Sequence, residues 1–273
     1  MTDTLTRPTV TRSDLCEGLR ACGIEAGDVL IVHASMKSLG YVEGGPAAVI
    51  AAMQDVLTPR GTLLMPTFAV PQPDGMFYVN STPSRTGLLT ETLRITPDVV
   101  RSWHPTHSVT AWGANAREWS VGHHLIGGLG VGSPFHRAAE AGAKVLMIGC
   151  DMCTCSLVHV AESIVRVPYL GNVYYNGSDR ILTVVTPAGK HLTVRQIDPP
   201  TCSSGFSLVQ REMEAAGQIR QVKLGAAPCL LFSGREALET AVRILRKDPA
   251  ALLCHRTKCT VCPRARAYIA SHS

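Results

Sequence analysis

One predicted helix carries a histidine and a glutamate among apolar neighbours. In SLVHVAESIVRV, His159 and Glu162 lie three residues apart. The rest of this polar stripe, at spacings of three and four, consists of Ser156, Ser163 and Arg166. Apolar residues cover most of the remaining surface, so we expect a buried helix whose polar stripe faces a cleft. A carboxylate that orients an imidazole makes a general base near neutral pH. The alternative interpretation of the polar stripe is the solvent-exposed face of an amphipathic helix.

Two other segments combine hydroxyl groups with glycines before a helix. VHASMKSLGYVEGG ends a buried strand, and STPSRTG precedes another predicted helix. Hydroxyls, a lysine and free backbone N–H groups at a helix start can bind phosphate. The spacing matches neither a Walker A loop nor a Rossmann fingerprint, and a strand-end loop with capping residues is the alternative. The candidate cofactor-binding residues are His33, Ser35, Lys37, Ser38, Thr82, Ser84 and Gly87.

Three cysteines lie close together in CHRTKCTVCPRAR near the C-terminus. Cys259 and Cys262 have the C-x-x-C spacing of a zinc knuckle, and Cys254 precedes them. A closed site of four thiolates would be structural, because it leaves no open position for a substrate. Free thiols are the alternative. The candidates for a fourth ligand are Cys202, in PPTCSSGF, and the trio Cys150, Cys153 and Cys155.

Two histidines three residues apart, His104 and His107, occur in HPTHSVTAWG. They fit either a turn that leads into a strand or a contribution to the wall of a substrate cleft. A metal site is the less favoured interpretation, because no carboxylate or cysteine lies near them in the sequence.

The elements around these residues predict an α/β fold. A helix over residues 11–22, capped by Thr11, is followed by the buried strand DVLIVHAS, a second helix and the strand GTLLMPTF. KVLMIGC is a further buried strand, and DRILTVVTPAGKHLTVRQ reads as a hairpin. Residues 69–87, rich in Pro, Gly, Ser and Asp, predict a long surface loop. We expect residues 1–273 to form a single domain with a central mixed β-sheet flanked by helices.

Composition excludes several classes of protein. The 273 residues are 45% apolar and 17% charged, which is ordinary for a globular protein. A net charge of +5 suits an anionic ligand but is too small to indicate nucleic acid. The polar N-terminus lacks a signal core, and no apolar run is long enough to cross a bilayer, so we expect a cytoplasmic protein without membrane contact. A reducing compartment also argues against disulfides among the ten cysteines.

Taken in order, several segments resemble the antibiotic N-acetyltransferase family, whose founding members are aminoglycoside 3-N-acetyltransferases. The segments are VHASMKSLGYVEGGP, GTLLMPTF, TPSRTG, RSWHPTHSVTAWG, GSPFHRA, VLMIGC and SLVHVAE. The resemblance implies acetyl-coenzyme A as the acetyl donor and a small cationic amine as the acceptor. It implies a catalytic role for His159, with Glu162 as its partner. It places the coenzyme at Ser35, Lys37, Ser38, Thr82, Ser84 and Gly87.

The chain departs from many family members at one position. Resistance enzymes of the family often read HPD-x-S where this chain reads HPTHS, so Thr106 stands where an acidic, amine-binding residue is common. This difference favours a smaller, atypical acceptor such as kasugamycin over kanamycin or gentamicin. A kasugamycin 2'-N-acetyltransferase is also related, and its substrate is a small, atypical aminoglycoside.

Three other functions are compatible with the sequence. The acceptor could be another small amine in natural-product biosynthesis. A metal-dependent hydrolase would use the histidines and cysteines, and activity lost to chelators would indicate it. A nucleic-acid-binding module with a zinc knuckle has support only from the last twenty residues, and the aromatic content is low for base stacking. A homo-oligomer is compatible with the sequence, which does not fix the oligomeric state.

Overall fold

Strands and helices alternate along the chain in the computed structural model, which describes residues 9–173, 181–197 and 201–272. The strands are β1 (Thr9–Val10), β2 (Val29–Ala34), β3 (Tyr41–Val42), β4 (Thr62–Pro66), β5 (Met76–Tyr78), β6 (Val99–Arg101), β7 (Val109–Gly113), β8 (Lys144–Ile148), β9 (Ile181–Val185), β10 (His191–Arg195), β11 (Arg220–Leu224) and β12 (Ala227–Ser233). The α-helices are α1 (Arg12–Ala21), α2 (Gly45–Leu57), α3 (Leu88–Ile95), α4 (Ala116–Ser120), α5 (Pro134–Glu140), α6 (Val158–Val165), α7 (Ser207–Ala215), α8 (Gly234–Lys247) and α9 (Val261–Ser271).

Seven of these strands form the central sheet, in the order β11-β12-β8-β2-β4-β7-β6. β2 pairs in parallel with both β4 and β8, and the remaining neighbours are antiparallel. Strands covered on both faces read as continuous apolar runs, as the VLIV of β2 and the VLMI of β8 do. The predicted α/β fold with a mixed central sheet is therefore confirmed.

Two hydrophobic cores lie on opposite faces of this sheet. Along β2, Leu30 and Val32 face the core under α1, α2 and α3, while Ile31 faces the core under α5, α6 and α8. This alternation is the two-residue period of a strand. The predicted cap of α1 is present, with Thr11 and Asp14 bonded reciprocally as a capping box. Among the described residues, no helix combines the length and the apolar character needed to cross a membrane.

The carboxyl ends of β2, β4 and β8 meet at one edge of the sheet. Crevices at this edge are the usual ligand sites of open α/β sheets. The chain packs tightly here. Gly149, just after β8, has a φ of 61°, and a Cβ on it would lie 1.9 Å from the Ser38 hydroxyl. The loops after β2 and β8 are therefore in direct contact, and only glycine fits at position 149.

The region predicted as a long surface loop contains a strand. β5 pairs in parallel with β9, and the predicted hairpin forms with β9 and β10 antiparallel, which gives a second sheet in the order β10-β9-β5. Phe77, in the centre of β5, is fully buried against Val184 and Val194. Burial of this aromatic side chain outweighs the turn-rich composition around it. The prediction of a plain loop over residues 69–87 was wrong at this point.

Candidate active site and cysteine cluster

His159 and Glu162 form a close pair in the first two turns of α6. His159 Nδ1 lies 2.6 Å from Glu162 Oε2, and the two side chains are 9% and 1% exposed. The imidazole and the ring of Phe206 pack in a T-shaped arrangement, with 4.6 Å between the ring centroids. Because the carboxylate bonds Nδ1, the proton of the neutral ring is on Nδ1. Nε2 then carries the lone pair and is the basic atom. The predicted pairing of these residues is present in the structure.

Both oxygens of the Glu162 carboxylate are engaged. Oε2 contacts the imidazole, and Oε1 accepts hydrogen bonds from the Tyr169 hydroxyl at 2.8 Å and the Thr201 hydroxyl at 3.0 Å. Burial, followed by the nearby charge of Glu162, raises the pKa of Tyr169 far above its ordinary value, so Tyr169 remains a donor. A buried carboxylate with three partners is held in one orientation.

The rest of the polar stripe of α6 lies further from this pair. Ser156 is buried just before the helix. Ser163 is partly buried, and its hydroxyl accepts the N–H of Val131 at 3.3 Å. Arg166 is exposed, and with a φ of 55° it ends the helix in the left-handed region. The stripe therefore divides into a buried pair and a solvent-facing end.

Three histidines form a cluster in which His104 and His123 are buried and His107 is partly buried. Its members are in ring contact: His104 with His107 at 5.8 Å and His104 with His123 at 5.1 Å between centroids. Burial lowers the pKa of His107 to about 3 and that of His123 to about 4, and it lowers the pKa of His104 well below its ordinary value. These imidazoles are therefore neutral at pH 7. Electrostatic repulsion from His159 adds to the lowered pKa of His107, so these two imidazoles lie within range of each other's charge.

Internal hydrogen bonds fix the orientation of these histidines. His104 Nδ1 accepts the N–H of His107 at 3.0 Å, and His123 bonds the hydroxyl of Ser102 and the carbonyl of Gly128, both at 2.8 Å. The HPTHS segment, buried except at His107, is thus a hydrogen-bonded turn leading into β7. The turn and cleft-wall interpretations of His104 and His107 are compatible, and a direct role for either residue stays a prediction.

Thr106 takes part in a neutral polar network. Its hydroxyl lies 2.9 Å from His107 Nδ1 and accepts a hydrogen bond from Gln196 Nε2 at 2.9 Å. Thr106 and Gln196 are both buried. This position beside the histidine cluster therefore offers hydrogen bonds without a negative charge.

The residues predicted to bind a cofactor after β2 lie at the carboxyl edge of the sheet. Ser35 and Ser38 are partly buried, with the Ser38 hydroxyl donating to the Ser35 carbonyl at 2.7 Å, and Lys37 is exposed. His33 is buried, and burial lowers its pKa to about 4. Within the described chain, His33 Nε2 has no hydrogen-bond partner.

The second predicted cofactor segment adjoins the loop after β4. The N–H of Arg85 donates to the Phe68 carbonyl at 2.8 Å, which ties the segment to this edge. The buried Thr82 hydroxyl accepts the N–H of Tyr78, and the Ser84 hydroxyl lies 3.0 Å from that of Thr90. Gly87 caps α3 with a φ of 133°. The first cofactor segment thus follows β2, and the second follows β5 and is bonded to the loop after β4. Their role stays a prediction.

The four cysteines that the sequence singled out for zinc come together. The sulfur atoms of Cys202, Cys254, Cys259 and Cys262 all lie within 4.8 Å of one another, and this is the one such group of potential metal ligands in the described part of the chain. Their thiols are free. A tetrahedral site with Zn–S bonds of about 2.3 Å requires sulfur atoms about 3.8 Å apart. The sulfur atoms of Cys202 and Cys254 are 3.8 Å apart.

Backbone N–H groups point at the sulfur atoms of this cluster. Cys259 accepts the N–H of Cys262 at 3.4 Å, Cys262 accepts that of Cys254 at 3.2 Å, and Cys202 accepts that of Ser204 at 3.5 Å. Such donors favour thiolates. The bond from Cys262 lowers the pKa of Cys259 to about 6, whereas burial raises the pKa of Cys254. The donor set and spacing fit zinc. The other candidate ligands, Cys150, Cys153 and Cys155, lie outside this cluster.

Three residues that contact the His159–Glu162 pair were not predicted from the sequence. They are Tyr169, Thr201 and Phe206. Tyr169 lies beyond the end of α6, and Thr201 and Phe206 come from a different part of the chain, so no helical spacing relates them to Glu162. One weak signal was available, because Thr201 directly precedes Cys202.

A buried histidine–carboxylate pair beside the carboxyl edge of a mixed α/β sheet has the arrangement expected of a general base in an enzyme. The family model described as "Aminoglycoside 3-N-acetyltransferase" matches residues 31–246. The chain therefore belongs to this family of antibiotic N-acetyltransferases. The metal-dependent hydrolase is not favoured, since four thiolates would fill every position of a tetrahedral site.

Relatives and solved structures agree with this assignment. The chain is 31% identical over 258 residues to aminoglycoside N(3)-acetyltransferase III of Pseudomonas aeruginosa, covering 86% of this chain and 93% of the relative. It is similar to the structure of AAC-IIIb in a binary complex with CoASH, with a TM-score of 0.76, 30% identity, and coverage of 88% and 97%. It also matches a mutant of aminoglycoside acetyltransferase AAC(3)-IVa in complex with a gentamicin, with a TM-score of 0.82, 26% identity, and coverage of 97% and 100%.

Proposed function

We propose that this chain transfers the acetyl group of acetyl-coenzyme A to an amino group of an aminoglycoside antibiotic and thereby confers resistance. The observation that carries this function is the buried pair of His159 and Glu162 at 2.6 Å, in a chain of the aminoglycoside 3-N-acetyltransferase family. The ten free thiols fit a reducing compartment, so we place the reaction in the cytoplasm.

His159 acts as the general base. An amine attacks a thioester only as the neutral species, so a proton must leave the acceptor nitrogen. The nitrogen bonds to the acetyl carbon while His159 Nε2 takes the proton, and Glu162 stabilises the resulting imidazolium. The carbon–sulfur bond of the thioester then breaks. Coenzyme A leaves as the free thiol after its sulfur receives the proton from His159.

The oxyanion that forms on the thioester oxygen requires a hydrogen-bond donor. The hydroxyl of Ser156 and the backbone N–H groups of the loop after β2 are the donors we assign to it. The coenzyme occupies the carboxyl edge of the sheet, between the loop after β2 and the segment that follows β5. In this proposal its contacts are His33, Ser35, Lys37, Ser38, Thr82, Ser84 and Gly87.

The acceptor binds next to the histidine cluster. Thr106 and Gln196 supply neutral hydrogen bonds there, which suits a hydroxyl of the antibiotic better than an ammonium group. We therefore rank kasugamycin above gentamicin and kanamycin as the acceptor. His104 and His107 form part of the wall of this subsite.

The cysteine cluster holds one structural zinc in this proposal. Cys202, Cys254, Cys259 and Cys262 would be its ligands, and three of them already accept backbone N–H groups. The metal would join the segment before α7 to the start of α9, and the four thiolates leave no position open for chemistry.

One assay tests the reaction directly. Release of free thiol from acetyl-coenzyme A is measured with a panel of amine antibiotics, and mass spectrometry of the product should show the added acetyl group. Wild-type protein should acetylate at least one aminoglycoside, and His159→Ala should not do so at a comparable rate. Absence of thiol release with every aminoglycoside would refute the proposal.

A further inference from the structure

One short segment, residues 201–206, contacts both members of the catalytic pair. At its start, the Thr201 hydroxyl donates to Glu162 Oε1 at 3.0 Å. At its end, the Phe206 ring packs against the imidazole of His159, 4.6 Å away between centroids. The segment therefore forms the backing of the pair.

The same segment is joined to the C-terminal region of the chain at two points. Cys202, next to Thr201, belongs to the four-cysteine cluster. Gly205 lies against the backbone of Leu252, where an added Cβ would be 2.1 Å from the carbonyl oxygen. The cluster is thus one residue away from a hydrogen bond to the catalytic carboxylate.

We propose that the four-cysteine cluster, when it holds zinc, positions the catalytic pair through residues 201–206, with Thr201 as the positioning residue for Glu162. This inference rests on the proposed acetyltransferase function. The zinc takes no part in the reaction. It fixes the backbone at Cys202, and this places the Thr201 hydroxyl on Glu162 Oε1.

The effect is local, because the helix that carries both members of the pair is held by contacts outside the cysteine cluster. His159 and Glu162 both belong to α6, which packs against α8. Tyr169 provides a second hydrogen bond to Oε1 that does not depend on the cluster. Loss of zinc should therefore leave α6 in place and remove one of the two donors to Oε1. With one donor lost, the carboxylate can move slightly. A small displacement of this group is enough to reduce the rate of proton transfer.

Thr201 variants test the positioning role. Thr201→Val should lower kcat roughly tenfold or more, in line with the loss of a precise geometry, while KM for each substrate changes less than twofold. Thr201→Ser retains the hydroxyl and should restore most of kcat. Thr240→Val is the matched control, since Thr240 is also a buried threonine, lies on α8 and bonds Gln218. Normal kcat in Thr201→Val would overturn the proposal.

Zinc removal tests the connection to the cluster. Full-length protein is stripped with a chelator and reloaded with zinc, and its zinc content, kcat and backbone hydrogen exchange are measured below the melting temperature. Without zinc, exchange should increase in residues 201–206 but not in residues 158–165, and kcat should fall and recover on reloading. Cys259→Ser should reproduce these effects, and Cys22→Ser, outside the cluster, should not.

A double variant distinguishes this connection from general destabilisation. If the cluster acts through Thr201, Cys259→Ser should lower kcat much less in a Thr201→Val background than in the wild type. Full additivity would refute the connection. If the wild type acetylates no amine, the proposed function fails, while the exchange data still report whether zinc orders residues 201–206. Unchanged exchange in those residues on zinc removal would overturn the inference by itself.

Discussion

The imidazole Nδ1 of His159 and the carboxylate Oε2 of Glu162 are 2.6 Å apart, with both side chains buried. A buried carboxylate at Nδ1 holds the ring in one tautomer and orientation. The pair therefore has the geometry of a general base before any substrate is present.

Replacement of the base should lower turnover without loss of the fold. We expect His159→Ala to reduce kcat by roughly 100-fold or more, the usual contribution of a general base. Glu162→Gln should have a smaller effect, because it retains an acceptor but loses the charge. Steady-state kinetics and circular dichroism on the same samples check this. A folded His159→Ala protein with near-normal kcat would remove His159 from the mechanism.

Acetyl-coenzyme A should raise the melting temperature, because a ligand that binds only the folded state stabilises it. Lys37→Ala should reduce this shift, since Lys37 is exposed at the predicted coenzyme site. Lys190→Ala, on the hairpin turn, is the control and should leave the shift unchanged. The measurement is a thermal melt across a series of coenzyme concentrations. No shift at saturation would contradict coenzyme binding.

The purified protein should contain about one zinc per chain, the stoichiometry of a single four-thiolate site. Cys259→Ser should lose the metal and lower the melting temperature, because zinc binding contributes to folding. Elemental analysis of protein purified without chelator, together with thermal melts, provides the measurement. Full-length protein free of zinc, with an unchanged melting temperature when zinc is added, would favour free thiols.

Stability should decrease as the pH falls from 6.5 towards 4. Burial lowers the pKa of His123 from 6.5 to about 4 and that of His107 to about 3. Between those values and 6.5 the unfolded chain binds protons that the folded chain does not, so this contribution is complete above pH 6.5 and is lost on acidification. Urea unfolding at several pH values measures the slope. It should be smaller in His123→Asn and unchanged in His191→Asn, because His191 is exposed. A flat profile would show that the cluster is not buried in solution.

The acceptor panel tests the role of the neutral network at Thr106. Kasugamycin should be acetylated with a higher kcat/KM than gentamicin or kanamycin. Thr106→Asp should shift the ratio towards gentamicin, because a carboxylate can pair with an ammonium group. Efficient acetylation of gentamicin, with none of kasugamycin, would reverse the ranking.

Local patterns were enough to predict the central sheet and the contact between His159 and Glu162. The apolar runs of β2 and β8 and the spacing of His159 and Glu162 are properties of short segments, and the structure retains them. Cys202 was found by chemistry instead, since three clustered thiols require a fourth for a closed zinc site.

Contacts between distant segments could not be predicted in this way. Thr201 and Tyr169 bind Glu162 from outside α6, where no periodicity links them to it. β5 was missed because a strand of three residues in a turn-rich segment carries little pattern of its own. Its partner β9 provides the hydrogen bonds that make it a strand.

The pairing of β5 with β9 also constrains the order of folding. β9 lies about one hundred residues after β5 in the chain, so closing this loop is entropically costly and slow compared with local contacts. During synthesis, the parallel strands β2, β4 and β8 all leave the ribosome before β9 does, and β5 cannot pair with β9 until then. The segment that follows β5, with its predicted coenzyme contacts, should therefore become ordered late, after α6 has been synthesised.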